Sequence, residues 1–384
     1  MKKWNLKGRS FKCIFSSPFK MKYVERNSSF VDGESNSGQN EPAFKPVQKP
    51  NWRFFSYEEI HKATNGFHQD NLVGSGGYAE VYKGELESGQ VVAVKRLTRA
   101  STDEQQEKEF LTELGVIGHV NHPNVIPLFG FSIDQNLHLI FDFSSRGSVS
   151  SNLHGENSPL MGWKLRLKIA VGTARGLHYL HKDCQRRIIH RDIKTSNVLL
   201  SANFDPLISD FGLARWLPSE WSHRSVAPIE GTFGCLAPEY FTHGIVDEKT
   251  DVFAFGVFLL EIISGRKPVD GSHKSLLSWA KPYLKEGKIE MLVDPRLGED
   301  YDIDQLKRLT FTASLCIRLE ATWRPSMKEV LELIEKSEIS TEQWRMTEEE
   351  EDDEFWAFDD LEDDDCDTPI SFSSSSLISS ISSS

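Results

Sequence analysis

Six polar side chains and one glycine turn have the types and the order needed to handle a polyphosphate. The stretch "LVGSGGYAEVYKGELESGQVVAVKRL" runs from Leu72 to Leu97. It sets Gly74 and Gly76 in the spacing G-x-G-x-x-G-x-V, with Ala79 in place of the third glycine and Val81 closing the pattern. Lys95 stands in "VAVK", Glu113 in "EFLTELGVIGHV", Asp192, Lys194 and Asn197 in "IIHRDIKTSNVLL", and Asp210 in "ISDFGLA". Transfer of a phosphoryl group is mostly positioning and electrostatics, because the charge must be neutralised and the phosphorus held in line with the attacking hydroxyl. Glycines let backbone N–H groups come close to phosphate oxygens. Lys95 is a point charge for the α- and β-phosphates, with Glu113 to hold it in place. Asn197 and Asp210 are hard oxygen ligands of the kind Mg²⁺ prefers, with Mn²⁺ as the other candidate ion. Asp192 would orient the substrate hydroxyl and accept its proton, and Lys194 would be a second cation for the γ-phosphate. A nucleoside triphosphate would lie against Val73, Gly74, Ser75, Gly76, Gly77, Tyr78, Ala79 and Val81. The methyl group of Ala79 is the smallest intrusion a side chain can make there, and Gly77 keeps the turn pliant.

These residues need a frame. Ser56 and Glu59 have capping-box spacing ahead of a first helix in "FFSYEEIHKATNGF", and Asn65-Gly66 supplies its stop. Short strand-like runs follow, among them "VVAVKRL" and "LHLIFDF", with one helical stretch between them, "DEQQEKEFLTELGVIGHV". After Gly147 the rhythm becomes helical, and "WKLRLKIAVGTARGLHYLHK" puts Leu167, Val171, Ala174 and Leu177 on one face. The reading is α+β: a small, mostly antiparallel β lobe with one helix at about 54–143, then a large, mostly helical lobe at about 144–335. The apolar run "VFAFGVFLLEII" (Val252 to Ile263) carries Glu261 and is too short for a bilayer, so it reads as a buried core helix.

Parts of this kind in this order are identified as the protein-kinase motif set. More narrowly, "FSYEEIHKATNGF", "GTFGCLAPEYF", "TDVFAFGVFLLEIISGRKPVD" and "RPSMKEVLELI" resemble plant receptor-like kinases of the interleukin-receptor-associated type. With no ectodomain or membrane span in the chain, the likeness is to the receptor-like cytoplasmic kinases. "HQDNLVGSGGYAEVYKGEL", "DEQQEKEFLTELGVIGHVNHPNV" and "HGIVDEKTDVFAFGV" look most like the subgroup that binds Rho-of-plants GTPases. The resemblance spans Phe54 to Ile334 and neither tail. It implies a two-lobed kinase fold that phosphorylates serine and threonine of protein substrates, with a Rho-type GTPase in its GTP form as partner. It also implies that Phe141 is the gatekeeper, that Asp142 to Ser144 form the adenine hinge, that Asp251 braces the catalytic loop and that Glu239 pairs with Arg324. Arg191 implies an activation segment switched by phosphorylation, with Ser222, Ser225 and Thr232 as candidates. The other reading of Thr232 is structural, bonded near Asp192. Cys235 departs from the aromatic residue common in the family's substrate-docking loop.

Composition sets the bounds. The cysteines Cys13, Cys184, Cys235, Cys316 and Cys366 are scattered without C-x-x-C spacing, which argues for a reducing compartment and against a disulfide framework or structural zinc. The start "MKKWNLKGRSFKCIF" lacks a signal peptide's apolar stretch, and Lys2 stands where myristoylation needs glycine, so a soluble, cytoplasmic protein is expected. The net charge of −13 resides in the tail: from Arg345 onward fourteen acids face one arginine. The first 27 residues hold eight Lys or Arg against Glu25. A near-neutral body with a basic head (1–50) and an acidic, Ser-rich tail (336–384), both expected to be disordered, does not suit a nucleic-acid binder. Trp4, Phe11, Ile14, Phe15 and Phe19 interleave with the lysines of the head, which gives a second reading of it as a plasma-membrane contact. A kinase-fold scaffold without turnover is the rival function, and the complete set of catalytic residues opposes it.

Overall fold

The computed structural model describes residues 52–336, apart from 77–78, 99–102, 157, 219 and 273. The basic head and, beyond Lys336, the acidic tail lie outside the described residues.

The first lobe is a six-stranded sheet. Its strands are β1 (Arg53–Phe54), β2 (Leu72–Ser75), β3 (Ala79–Glu85), β4 (Val91–Leu97), β5 (Leu128–Ser132) and β6 (His138–Asp142). The spatial order is β1-β5-β6-β4-β3-β2, antiparallel throughout except where β1 runs parallel to β5. Helix α1 (Tyr57–Ala63) precedes β2, and α2 (Asp103–Ile117) joins β4 to β5. Ser56 caps α1 by accepting the Glu59 N–H at 3.2 Å. The reciprocal half of the expected capping box is missing, because the Glu59 carboxylate pairs with Arg53 instead. Asn65 and Gly66 both adopt left-handed φ, 52° and 71°, and end the helix as their types suggest.

The sheet is buried on both faces. Under α1 lies a small core of Phe55, Ile60, Leu86, Val92, Val94 and Ile140. On the α2 side, Phe110, Leu114, Val116 and Ile117 belong to a main core that continues through the second lobe to Ile334.

The second lobe carries α3 (Val149–His154), α4 (Trp163–His178), α5 (Pro238–His243), α6 (Glu248–Ser264), α7 (Leu276–Lys285), α8 (Ile303–Cys316) and α9 (Met327–Glu335). Short strands interleave: β7 (Arg187–Ile189) pairs with β10 (Arg215–Leu217), β8 (Val198–Leu200) with β9 (Pro206–Ile208), and β11 (Arg224–Ser225) with β12 (Ile245–Val246). The apolar run at 252–263 is the middle of α6, and every residue from Thr250 to Ser264 is buried. Among the described residues no helix is long and apolar enough to cross a membrane.

Helix α4 departs from the expected stripe. Ala174 and Leu177 are buried, but Leu167 and Val171 lie at the margin, and the buried face instead includes Arg166, Ile169, Ala170, Gly172, Thr173 and Gly176. Two glycines cause the rotation. A Cβ at Gly172 would fall 2.4 Å from the Pro206 ring, and one at Gly176 2.7 Å from Ile208, so the helix turns its glycines toward β9. Arg166 follows them inward because its guanidinium meets Asp294 at 2.6 Å and the Met161 and Ile262 carbonyls at 2.7 Å.

Candidate active site

The glycine turn joins β2 to β3, and the Gly76 N–H closes it on the Ala79 carbonyl at 2.9 Å. Gly77 and Tyr78 lie outside the described residues. Among the described residues nothing requires glycine at 74 or 76. A Cβ at Gly74 would make only ordinary contact, 3.7 Å, with Val81, and one at Gly76 would approach only the Ala79 oxygen at 3.9 Å. Val73 beside them is 52% exposed, and Ser75 is exposed as well. Ala79 and Val81 pair with Leu97 and Lys95 across β3 and β4, so the strand that leaves the turn runs beside Lys95.

Lys95 is the hub. Its Nζ lies 2.6 Å from Glu113 Oε1 and 2.8 Å from Asp210 Oδ1, joining the sheet, α2 and the segment after β9. Glu113 is buried, and burial pushes its carboxyl up against the pull of Lys95. Burial alone would lower the Lys95 ammonium, yet Asp210 and Glu113 together hold it above the ordinary lysine range. Lys95 in turn holds the Asp210 carboxyl down at about 2. Burial would raise that carboxyl, so the depression is the work of the Lys95 cation acting against it. Asp210 sits at φ 63°, a left-handed conformation that a non-glycine residue rarely holds.

The catalytic loop is built from below by α6. Asp251, fully buried, accepts the His190 N–H and the Arg191 N–H at 2.8 Å each. His181 Nε2 completes its shell at 2.8 Å. Arg191 is thereby held at φ 71°. On the next residue, Asp192 Oδ2 receives Asn197 Nδ2 at 2.8 Å and Lys194 Nζ at 2.9 Å, while Oδ1 receives the Thr232 hydroxyl at 2.7 Å. Asn197 is itself fixed through its carbonyl, which accepts from both the N–H and the hydroxyl of Ser209 at 2.8 Å. Its amide N–H groups are spent on Asp192, leaving Oδ1 as the remaining acceptor.

Phe141 is buried on β6 opposite Ala93, and Asp142 bonds Gln90 at 2.9 Å. The Ser144 hydroxyl donates to the Leu200 carbonyl where the chain passes between the lobes. The Thr232 hydroxyl donates to Asp192 and accepts from Lys194. Ser222 and Ser225 are exposed, the latter on β11. Glu239 and Arg324 form a two-pronged pair, both contacts at 2.8 Å. Cys235 is buried, which pushes its thiol far up. Sequence reasoning missed His181, Ser209 and Tyr240, whose hydroxyl accepts from Arg191 and bonds the Glu230 backbone. Ser209 and Tyr240 stand inside quoted motifs and His181 inside the stretch read as helical, but nothing short of the fold pairs any of the three with its partner.

Among the described residues no cluster of three or more His, Cys, Asp or Glu could hold a metal by itself. Mg²⁺ keeps several waters and shares substrate phosphates, so the two oxygen donors Asp210 and Asn197 suit it.

Comparison with known proteins accords with this geometry. Residues 67–334 match the family model for protein tyrosine and serine/threonine kinases. The chain is 53% identical over 290 residues to the receptor-like cytosolic serine/threonine-protein kinase RBK1 of Arabidopsis thaliana, covering 75% of this chain and 62% of that protein. It is 54% identical over 280 residues to RBK2, of the same description and plant, covering 73% and 61%. A probable receptor-like serine/threonine-protein kinase of that plant is 53% identical over 305 residues, covering 79% and 52%. The chain thus spans 52–62% of the length of these relatives. By the family match the chain belongs to the protein tyrosine and serine/threonine kinase family, and over that stretch it is similar to plant receptor-like kinases.

Proposed function

We propose that the chain transfers the γ-phosphoryl group of ATP to serine and threonine hydroxyls of protein substrates. The observation that carries the reading is the assembled hub: Lys95 Nζ touches both Glu113 and Asp210, with Asp192 fixed by three donors on the adjoining loop. Lys95 binds the α- and β-phosphates, and the exposed glycine turn covers them with N–H groups. A Mg²⁺ ion held by Asp210 and Asn197 neutralises phosphate charge when bound. Asp192 takes the proton of the attacking hydroxyl, and Lys194, 2.9 Å from it, is available to the γ-phosphate. Lys194 and Thr232 support serine/threonine over tyrosine as acceptor. Turnover of Mg-ATP on a basic protein substrate tests the reading. Asp192→Asn should abolish most transfer while leaving ATP affinity within about threefold, and Lys95→Met should lower both. Wild-type turnover by Asp192→Asn would refute it, and absence of turnover in the unmutated chain would favour the scaffold reading.

The regulatory part is supported by Arg215, which feels the charges of Arg191, Arg224 and Glu230. Arg215 and Arg224 on the activation segment, with Arg191 on the loop before it, suit a phosphate on Ser222, Ser225 or Thr232. The resemblance to the Rho-of-plants-binding subgroup supports a GTPase partner bound preferentially in its GTP form, in the cytoplasm or at the plasma membrane. Equal capture of the GTP- and GDP-loaded protein would refute that coupling.

A further inference from the structure

Helix α2 carries Glu113, and two glycines near its end are occupied from outside. Gly118, one residue past the helix, still donates its N–H to the Leu114 carbonyl at 3.0 Å. A Cβ there would fall 2.4 and 2.5 Å from Cζ2 and Cη2 of Trp52, so the indole of Trp52 sits in the notch that the glycine leaves. At Gly115 a Cβ would meet Cη2 of Trp216, on β10, at 3.7 Å. Glycine inside a helix is unfavourable relative to alanine, so its presence calls for a packing reason. At 100° per residue, Gly118 and Gly115 lie about 140° and 160° around the axis from Glu113, so both indoles press on the side away from Lys95.

The Trp52 indole is also tied to the sheet that bears Lys95. Arg53 pairs with Gly130 on β5, where a Cβ would come 2.1 Å from the Arg53 carbonyl oxygen, so no side chain fits between them. The Phe55 N–H donates to the Phe131 carbonyl at 3.0 Å, and Phe55 and Ile60 are fully buried in the small core. Trp52 packs against the main core on the other side of the sheet. A strap anchored on one face therefore delivers one aromatic ring to the end of the helix on the other. Residue 52 precedes the family match, which begins at 67.

We propose that Trp52 is a positioning residue for phosphoryl transfer: seated in the Gly118 notch, it holds α2 where Glu113 reaches Lys95. The role rests on the kinase reading above, since Glu113 matters to turnover only if Lys95 binds nucleotide.

The test is a cycle of variants in the full chain. Trp52→Ala should lower kcat/KM for ATP by about tenfold or more, the scale of effect expected from a misplaced catalytic group. Trp52→Phe, which refills part of the notch, should recover most of that loss. In a Glu113→Gln background Trp52→Ala should add less than about twofold, because residues acting through one contact are not additive. Hydrogen exchange supplies a readout that needs no turnover: Trp52→Ala should speed exchange of the amides from Leu114 to Ile117 and leave those of α8 unchanged. An undiminished rate in Trp52→Ala, or the same loss in both backgrounds, overturns the proposal. Unchanged exchange at Leu114–Ile117 overturns it whether or not the chain turns over ATP. Failure of the unmutated chain to use ATP would instead strike the kinase reading.

Discussion

Asp251→Asn keeps shape and removes one acceptor and one charge from a fully buried position. The carboxylate takes three donors at 2.8 Å, two on Oδ2 and one on Oδ1. An amide has a single oxygen, so in its better orientation it still turns N–H toward the N–H of Arg191. A buried donor left without an acceptor costs about 1–3 kcal/mol, and a bond to a charged acceptor is worth about 1.5–3 kcal/mol. The lost bond is also the one that holds Arg191 at φ 71°, a conformation that itself costs about 1–3 kcal/mol. Relaxation of residues 190–192 is therefore the cheaper response, and it carries Asp192 away from its place. A penalty of about 3 kcal/mol corresponds to roughly a hundredfold in rate. The expected outcome is a kcat lower by that order, with KM for ATP within about threefold because Lys95, Glu113 and Asp210 stand elsewhere. Steady-state kinetics beside thermal melts would measure both parts. A variant that melts earlier yet keeps its kcat would refute the reasoning and reduce Asp251 to packing. The sign of the pH effect follows as well. Burial raises the Asp251 carboxyl, but His181, His190 and the backbone N–H hold it below the ordinary value. Its stabilisation is present above pH ~3.9 and is lost as pH falls through the depressed folded value, a loss the asparagine variant should lack.

Arg166→Lys should destabilise the fold by about 2 kcal/mol or more with kcat little changed, since a lysine cannot serve Asp294 and two carbonyls at once; urea melts with parallel kinetics check this, and an activity loss exceeding the unfolded fraction would contradict it. Phosphatase treatment should lower activity, and alanine at both Ser222 and Ser225 should make the chain indifferent to it; activity untouched by phosphatase would remove the switch. Because Lys95 holds Asp210 at about 2, Asp210 should stay ionised throughout the acid limb of a pH–rate profile. Its share of stability, present above pH ~3.9, should vanish only as pH falls through about 2, so acid titrations of wild type and Asp210→Asn should converge only there.

Much of the site could be read from the chain because its parts are local motifs. Lys95, Asp192, Asn197 and Asp210 each sit in a short run whose neighbours identify them, and the helix stop at Asn65-Gly66 depends only on backbone preference. What escaped the reading depends on partners outside the motif that suggests it, near in the chain or far. Glu59 has perfect spacing for a capping box, yet Arg53 takes its carboxylate. The α4 stripe reads as Leu167 and Val171 until Pro206 and Ile208 press on Gly172 and Gly176. Asp251 and His181 are 70 residues apart and meet only in the fold. Apolar periodicity finds a helix, but which side it buries is decided by the surface it meets.

The strap before residue 67 has a consequence for inheritance. The family model's match starts at Phe67, yet the small core is closed by Phe55 and Ile60, both fully buried. Each such side chain contributes about 1.5–3 kcal/mol when buried. A chain cut at the family boundary would uncover Val92, Val94 and Ile140 and lose a share of stability comparable to what a whole domain has to spare. The piece that can be moved intact between proteins is thus longer than the piece the family model matches. Any gene fusion that carries this unit to a new partner must bring along the strap ahead of Phe67, because Phe55 and Ile60 close the small core.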